Sequence, residues 1–304
     1  MSNFEMDFDV IIIGGSYAGL SAATALGRAL RKVLVVDAGK PCNRQTPHSH
    51  NFLTRDGETP AAITNIAREQ LEKYKTVKLI GDFVTDGSKL TDGFKIHTLA
   101  GQTYTAQVVL FATGITDVMP DIAGFAECWG ITILHCPYCH GYEVRHQSTG
   151  ILGNGDIGYE YAKLISNWTD DLTLFTNGIS TLSAEQAKKL RSHNIKIEEA
   201  DVKTIVHENG RIKSIKLQNN ETYALAALYT RPAFTQHCNL PQQLGCDFTD
   251  AGYINVDGFS RTNIQGIYAA GDNTSPMRSV AGVVAAGTVA GAIINKDLID
   301  NNYI

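Results

Sequence analysis

Branched apolar residues run without interruption from Val10 to Ile13, and the chain then enters Gly14-Gly15-Ser16-Tyr17-Ala18-Gly19 and an alanine-rich segment, Leu20 to Leu30. A continuous apolar run suits a strand buried on both faces, and glycines ahead of a helical segment suit a tight turn, so strand, turn and helix are predicted. A second apolar run, Val33 to Val36, ends at Asp37. Pro60 after Thr59 starts a helix predicted to reach about Lys75. Between Val77 and Leu110, short alternating segments such as Phe94 to Leu99 and Thr103 to Val109 predict an antiparallel meander. The first pattern then recurs 139 residues on, as Gly150-Ile151-Leu152, the loop Gly153 to Gly158 and a helical segment from Tyr159 to Trp168. A strand at Leu172 to Phe175, a capping box at Ser183-Ala184-Glu185-Gln186 and a hairpin turn at Asn209-Gly210 continue this second unit. Near the end, a short strand over Gly266 to Ala270 stops at Gly271-Asp272, and a small-residue helix is predicted from about Ser279 to Leu298.

At 304 residues the chain suits two domains. With 43% hydrophobic and 19% charged residues it has the composition of an ordinary globular protein. The formal charge of -5 and the lack of any block of like charge do not suggest a nucleic-acid partner, and none is expected. The stretch Ser279 to Ile294 reads as too short and too weakly hydrophobic for a bilayer, so no membrane partner is expected. The first ten residues show no basic region before an apolar core, hence no signal peptide and an expected cytoplasmic location. Six cysteines in a reducing compartment do not predict a disulfide framework, which leaves the single Cys-x-x-Cys pair, Cys136 and Cys139, as a candidate for chemistry or metal binding.

In the first glycine loop, Gly14 and Gly19 permit the tight turn and the close packing of helix on strand, while the helix start offers N–H groups to a pyrophosphate. Ser16 stands where the middle glycine of the pattern belongs. Asp37, 23 positions beyond Gly14, is placed to accept ribose hydroxyls. The second loop keeps its glycines, Gly153, Gly155 and Gly158, with Asp156 among them. The same 23-residue count from Gly153 lands on Thr176, followed by Asn177 and Gly178, where NAD calls for a carboxylate and NADP for an arginine. No basic residue follows until Lys188. The second loop is therefore read as a retained scaffold or a weak nicotinamide site, with NADPH binding in doubt.

Cys136 and Cys139 stand three positions apart, close enough for their sulfurs to meet on one helical turn and to cycle between dithiol and disulfide. His140 follows, with an ordinary pKa near 6.5 that suits it to give or take a proton near neutrality. The same Cys-x-x-Cys-His string is the attachment motif of c-type haem, chemistry that normally follows export. A zinc site needs further ligands, and Cys42, Cys128, Cys238 and Cys246 form no second close pair; no metal is expected. An inert buried pair is the remaining alternative. The four other cysteines read as packing residues, with Cys128, beside Trp129, the candidate for an extra resolving thiol.

Taken together, Gly14 to Gly19, Asn51-Phe52, Ala112-Thr113-Gly114, Trp129-Gly130, Cys136-Pro137-Tyr138-Cys139, Gly153 to Gly158, Thr262 and Ala270-Gly271-Asp272 occur in an order that resembles the low-molecular-weight thioredoxin reductase family of flavoproteins. The likeness covers essentially the whole chain. It implies an α/β fold of two nucleotide-binding, Rossmann-like domains of three-layer type, the second inserted into the first. The FAD domain would comprise residues 1–117 and 248–304, and the NAD(P)H-binding-like domain with the dithiol residues 118–247. FAD contacts would come from Gly14, Gly15, Ser16, Ala18, Gly19 and Asp37, from Thr46, Asn51, Thr113 and Gly114 around the flavin, and from Gly271 and Asp272 at the ribityl chain. Cys139 would face the flavin and Cys136 exchange with substrate. Family members are usually homodimers. His140 stands where the reductases usually place Asp, which is similar to a subgroup of dithiol oxidases that close disulfides in metabolites such as gliotoxin. The resemblance thus implies a thiol-disulfide oxidoreductase acting on a thioredoxin-like protein or a small dithiol, with oxygen or another protein as electron partner. Its rivals are an NADPH-dependent thioredoxin reductase and a non-catalytic flavin-binding module. His48 and His50 either edge the flavin and assist proton transfer or lie in solvent.

Overall fold

The computed structural model describes residues 6–301 and Tyr303. The first part of the chain alternates strand and helix as β1 (Phe8–Ile13), α1 (Tyr17–Arg28), β2 (Val33–Asp37), α2 (Pro60–Leu71) and β3 (Val77–Gly81). It continues as β4 (Val84–Lys89), β5 (Phe94–Thr98), β6 (Thr103–Phe111) and β7 (Ile115–Asp117). The second part holds α3 (Phe125–Cys128), β8 (Ile133–Leu134), α4 (Pro137–His140), β9 (Thr149–Leu152), α5 (Gly155–Ile165), β10 (Leu172–Phe175), α6 (Ala184–Ser192) and β11 (Lys196–Glu198). Strands β12 (Val202–Glu208), β13 (Arg211–Leu217), β14 (Thr222–Ala224) and β15 (Ala227–Thr230) complete it. The chain then returns through β16 (Phe234–Gln236), α7 (Leu240–Gln243), β17 (Ile267–Ala269) and α8 (Val280–Asn301).

Two compact units result, one of residues 1–44, 52–116 and 234–304, the other of residues 45–51 and 117–233. In the first, the sheet order is β3-β2-β1-β6-β5-β4, with β17 also on β6. β1, β2, β3, β6 and β17 are mutually parallel, so both of their faces need cover. Val10, Ile12, Val33, Val35, Val108 and Leu110 pack on one face with α1 and α8. Ile11, Ile13, Leu34, Val36, Val109 and Phe111 pack on the other with β5 and α7. This is the period-two alternation of a three-layer sheet. The meander expected over Val77 to Leu110 is only partly formed: β4, β5 and β6 are antiparallel, while β3 pairs parallel with β2 at the opposite edge. Residues 234–247 were expected in the inserted domain but belong to the first unit, because Leu240 and Cys246 are buried in the core beneath β1 and β6.

The terminal small-residue stretch forms a helix of 22 residues, longer than the sequence pattern indicates. By length and composition alone it would suffice to cross a membrane. Here Gly287, Ala290, Gly291, Ile294 and Leu298 are buried, and a Cβ at Gly287 would lie 2.1 Å from the Ala18 carbonyl oxygen. Glycine and alanine thus let α1 and α8 approach backbone to backbone, an approach reinforced by the Ser21 hydroxyl donating to the Val284 carbonyl at 2.7 Å.

The second unit carries a five-stranded sheet, β11-β10-β9-β15-β8, and the β12-β13-β14 sheet. The predicted hairpin is present, with Asn209 and Gly210 both in the left-handed region that a two-residue turn of this kind requires. The capping box at Ser183 and Gln186 is formed in both directions.

Candidate active site

In the first unit the parallel strands β1, β2, β6 and β17 all end at the same edge, which carries Gly14, Asp37, Ala112 to Gly114 and Ala270 to Asp272 respectively. Gly14 has φ +108, and a Cβ there would lie 2.2 Å from the Ala112 carbonyl oxygen. The turn therefore accepts no other residue without moving β6. Ser16 occupies the N-cap of α1 but makes no side-chain cap, and the first turn contains no acidic residue. The N–H groups at the start of α1 are thus left for a ligand. Asp37 accepts from the Gly15 N–H at 3.2 Å and from the Gly39 N–H at 3.2 Å, and pairs with the Arg68 guanidinium at 2.6 Å. Gly271 faces Ala18 closely enough that a Cβ would lie 3.1 Å from the alanine methyl. Asn273, fully buried, donates to the Phe111 carbonyl at 2.9 Å and reaches the Thr113 hydroxyl at 3.4 Å. Asp272 lies 3.6 Å from the Cys42 thiol and 3.8 Å from Arg278. The open helix start, the carboxylate at the end of β2 and the open space at Gly114 fit the dinucleotide expected of this unit.

The second unit places two features on one edge of its sheet. The glycine loop Gly153 to Gly158 follows β9, and the Cys136–Cys139 pair follows β8, with only β15 between these strands. The loop differs from the first in its polar chemistry. Asn154 caps α5: its side-chain oxygen accepts from the Gly155 N–H at 2.8 Å, the Thr181 N–H at 2.8 Å and the Thr181 hydroxyl at 3.1 Å. Its amide nitrogen donates to the Ile179 carbonyl at 2.9 Å. Asp156 sits in the first helical turn and receives the Gln186 amide at 2.7 Å. Beyond β10, the Thr176 hydroxyl donates to the Gly178 carbonyl, and the Asn177 side chain accepts from the Val202 N–H. The turn that would select a ribose or its phosphate is thus internally bonded and bears no cation.

Cys136 and Cys139 form a disulfide across the single turn of α4, with Cα atoms 5.3 Å apart. Pro137 holds the first helical position, and the Cys139 N–H donates to the Cys136 sulfur at 3.2 Å, a bond that stabilises negative charge on that sulfur. Trp168 supports the turn from one side, its ring edge-on to Tyr138 at 5.5 Å. His140 closes α4 half-buried, its ring perpendicular to that of His50 at 6.4 Å. Burial first, and the charge of His50 second, lower the His140 pKa to about 4. The near-neutral titration expected from sequence is corrected accordingly: His140 is an uncharged imidazole at pH 7, with a lowered basicity. His50 Nε2 lies 3.6 Å from Glu143 Oε1. Thr46 packs against Gly130 in this unit, while Asn51 is exposed with φ +58.

Two cysteine expectations change. Cys128 is fully buried among Phe125, Trp129 and Ile133, and burial pushes its thiol up to about 11, which removes it as a resolving thiol. Cys42, expected to pack, is exposed beside Asp272. Sequence reasoning missed Arg68, Asn154, Gln186, Glu143 and Asn273. Of these only Arg68 stands apart from a recognised motif: Asn154 lies in the second glycine loop, Gln186 in the capping box, Asn273 next to Asp272 and Glu143 three residues after His140.

The pyridine nucleotide-disulphide oxidoreductase family model matches residues 8–289. A thioredoxin reductase, tcpT, of Claviceps purpurea is 31% identical over 96% of this chain and 94% of its own. An oxidoreductase from Agrobacterium tumefaciens superposes with a TM-score of 0.91 at 38% identity, covering 97% of this chain and 99% of its own. A putative thioredoxin reductase, TrxB, from Bacillus anthracis superposes with a TM-score of 0.92 at 32% identity, covering 97% and 99%.

Proposed function

Because the chain belongs to the pyridine nucleotide-disulphide oxidoreductase family, as a thioredoxin reductase-like flavin-dependent oxidoreductase acting on sulfur groups, we propose that it oxidises small dithiols and does not draw its electrons from NADPH. The carrying observation is the contrast between its two helix starts. α1 begins uncapped, with a carboxylate waiting at the end of the next strand, whereas α5 begins capped by Asn154 with Asp156 in its first turn. A carboxylate at the mouth of a phosphate site repels the ligand that the helix start would otherwise attract. Charge-assisted contacts worth about 1.5 to 3 kcal/mol each have no donor side chain in the Thr176 to Gly178 turn.

In this reading Gly14, Gly15, Ser16, Ala18, Gly19, Asp37, Thr113, Gly114, Gly271 and Asp272 hold FAD, which supplies a two-electron sink for the cysteine pair. A substrate thiolate attacks the Cys136 sulfur, breaking the Cys136–Cys139 bond and releasing Cys139 as a thiolate. The second substrate thiolate attacks the substrate sulfur now joined to Cys136, closing the substrate disulfide and expelling the Cys136 thiolate. The Cys139 N–H that bonds the Cys136 sulfur stabilises that leaving group. Two protons leave the substrate, and neutral His140 is the acceptor beside the pair.

Oxygen uptake tests this reading. Air-saturated holoenzyme given dithiothreitol without NADPH should consume oxygen, and Cys136→Ser and Cys139→Ser should abolish it. Uptake that survives both substitutions places the chemistry elsewhere.

A further inference from the structure

Three imidazoles of the second unit form a graded path away from the dithiol. His140 is half-buried at the end of α4. His50 follows at 6.4 Å between ring centres, with 22% of its side chain exposed, and His48 a further 6.4 Å on, exposed to solvent. Centres 6.4 Å apart are too distant for a direct imidazole hydrogen bond but suit one bridging water per gap. Glu143 stands beside the middle ring at 3.6 Å.

We propose that His50, steadied by Glu143, relays protons between His140 and the solvent-exposed His48. The inference rests on the dithiol-oxidising reading above. Each closure of a substrate disulfide sets two protons free while two cysteine thiolates form, and one buried imidazole holds only one of them. The first proton passes from the attacking substrate thiol to His140, then through His50 and His48 to bulk water, which frees His140 for the second. No electrons move in these steps.

The other ionisable groups nearby agree with a path leading outward. Tyr229, whose buried hydroxyl has no partner among the described residues, is held protonated by burial and by the charge of Glu143, so it does not compete for the proton. His135 lies against Trp129, and Arg145 stacks on Tyr142 at 3.8 Å. The low basicity of His140 favours handing the proton on, towards the ring that Glu143 stands against at 3.6 Å.

His50 touches no reacting atom, so it is a positioning residue, and its test needs a readout that a structural role would not move. Holoenzyme turning over dithiothreitol in weak buffer is compared with His50→Gln and Glu143→Gln, flavin content and Tm serving as checks on folding. The relay predicts that His50→Gln slows turnover about 10- to 100-fold and that added imidazole restores most of the rate, because a mobile base replaces the missing carrier. Glu143→Gln should show a smaller loss, also relieved by imidazole. A wild-type rate for His50→Gln in weak buffer, or a loss that imidazole leaves unchanged, overturns the relay. His140→Gln separates the two levels. If it is slow while His50→Gln is not, only the relay falls; if it too is unaffected, the acid–base reading falls and takes the relay with it.

Discussion

The Gln186 amide donates to the Asp156 carboxylate at 2.7 Å, bridging the start of α6 to the first turn of α5. The bond fixes a negative charge where the first glycine loop leaves bare N–H groups. Removing that charge and supplying a cation should therefore recover part of a nicotinamide site. In Asp156→Ser combined with Ile179→Arg, at a position where the native side chain is 85% exposed, NADPH affinity should rise at least about tenfold, read by calorimetric titration. An unchanged affinity would mean that the loop is blocked by more than charge.

Cys42 and Cys128 should separate by reactivity. Cys42 is exposed and Cys128 is buried with a thiol raised to about 11. Brief iodoacetamide treatment of native protein at pH 8, followed by peptide mass spectrometry, should label Cys42 and spare Cys128. Cys128→Ala should leave thiol turnover within about twofold of wild type while lowering Tm, since it opens a cavity beside Trp129.

The depressed pKa of His140 also sets a pH dependence of stability. Unfolded, the imidazole titrates near 6.5; folded, near 4. Between these values the unfolded chain binds more protons, so this contribution is full above about pH 6.5 and is lost as pH falls towards 4. At pH 5 the loss is about 2 kcal/mol. Denaturant unfolding at pH 7 and pH 5 should show a smaller pH difference in His140→Gln than in wild type. Equal differences would place the ionisation of His140 near its unfolded value.

Much of this was legible in the chain. Val10 to Ile13 followed by Gly14 to Gly19 signals a buried strand and a tight turn because both depend on local backbone geometry, and the Ser183–Gln186 capping box is equally local. The partners of Asp37 and Asp156 were not legible: Arg68 and Gln186 lie 31 and 30 positions away, and only the fold brings them together. Strand β3 was misread for a similar reason, since a short segment of Val, Lys, Leu and Ile carries no mark of whether its neighbour runs parallel. The pKa of His140 was misjudged because burial belongs to the folded environment and not to the residue.

The contact between α1 and α8 carries its own test. With a Cβ at position 287 falling 2.1 Å from the Ala18 carbonyl, Gly287→Val should destabilise the first unit by about 3 kcal/mol or more, because backbone and not a flexible side chain must yield. Thermal unfolding followed by flavin release should register the loss. A Tm within a degree or two of wild type would contradict the close approach.

The central claim, that electrons enter from dithiols and not from NADPH, is tested most directly by anaerobic titration of the holoenzyme followed at the flavin absorption band near 450 nm. Stoichiometric dithiothreitol should bleach the band, and readmitted air should restore it with release of hydrogen peroxide, while micromolar NADPH leaves it unchanged. Rapid bleaching by stoichiometric NADPH, with dithiothreitol inert, would contradict the account.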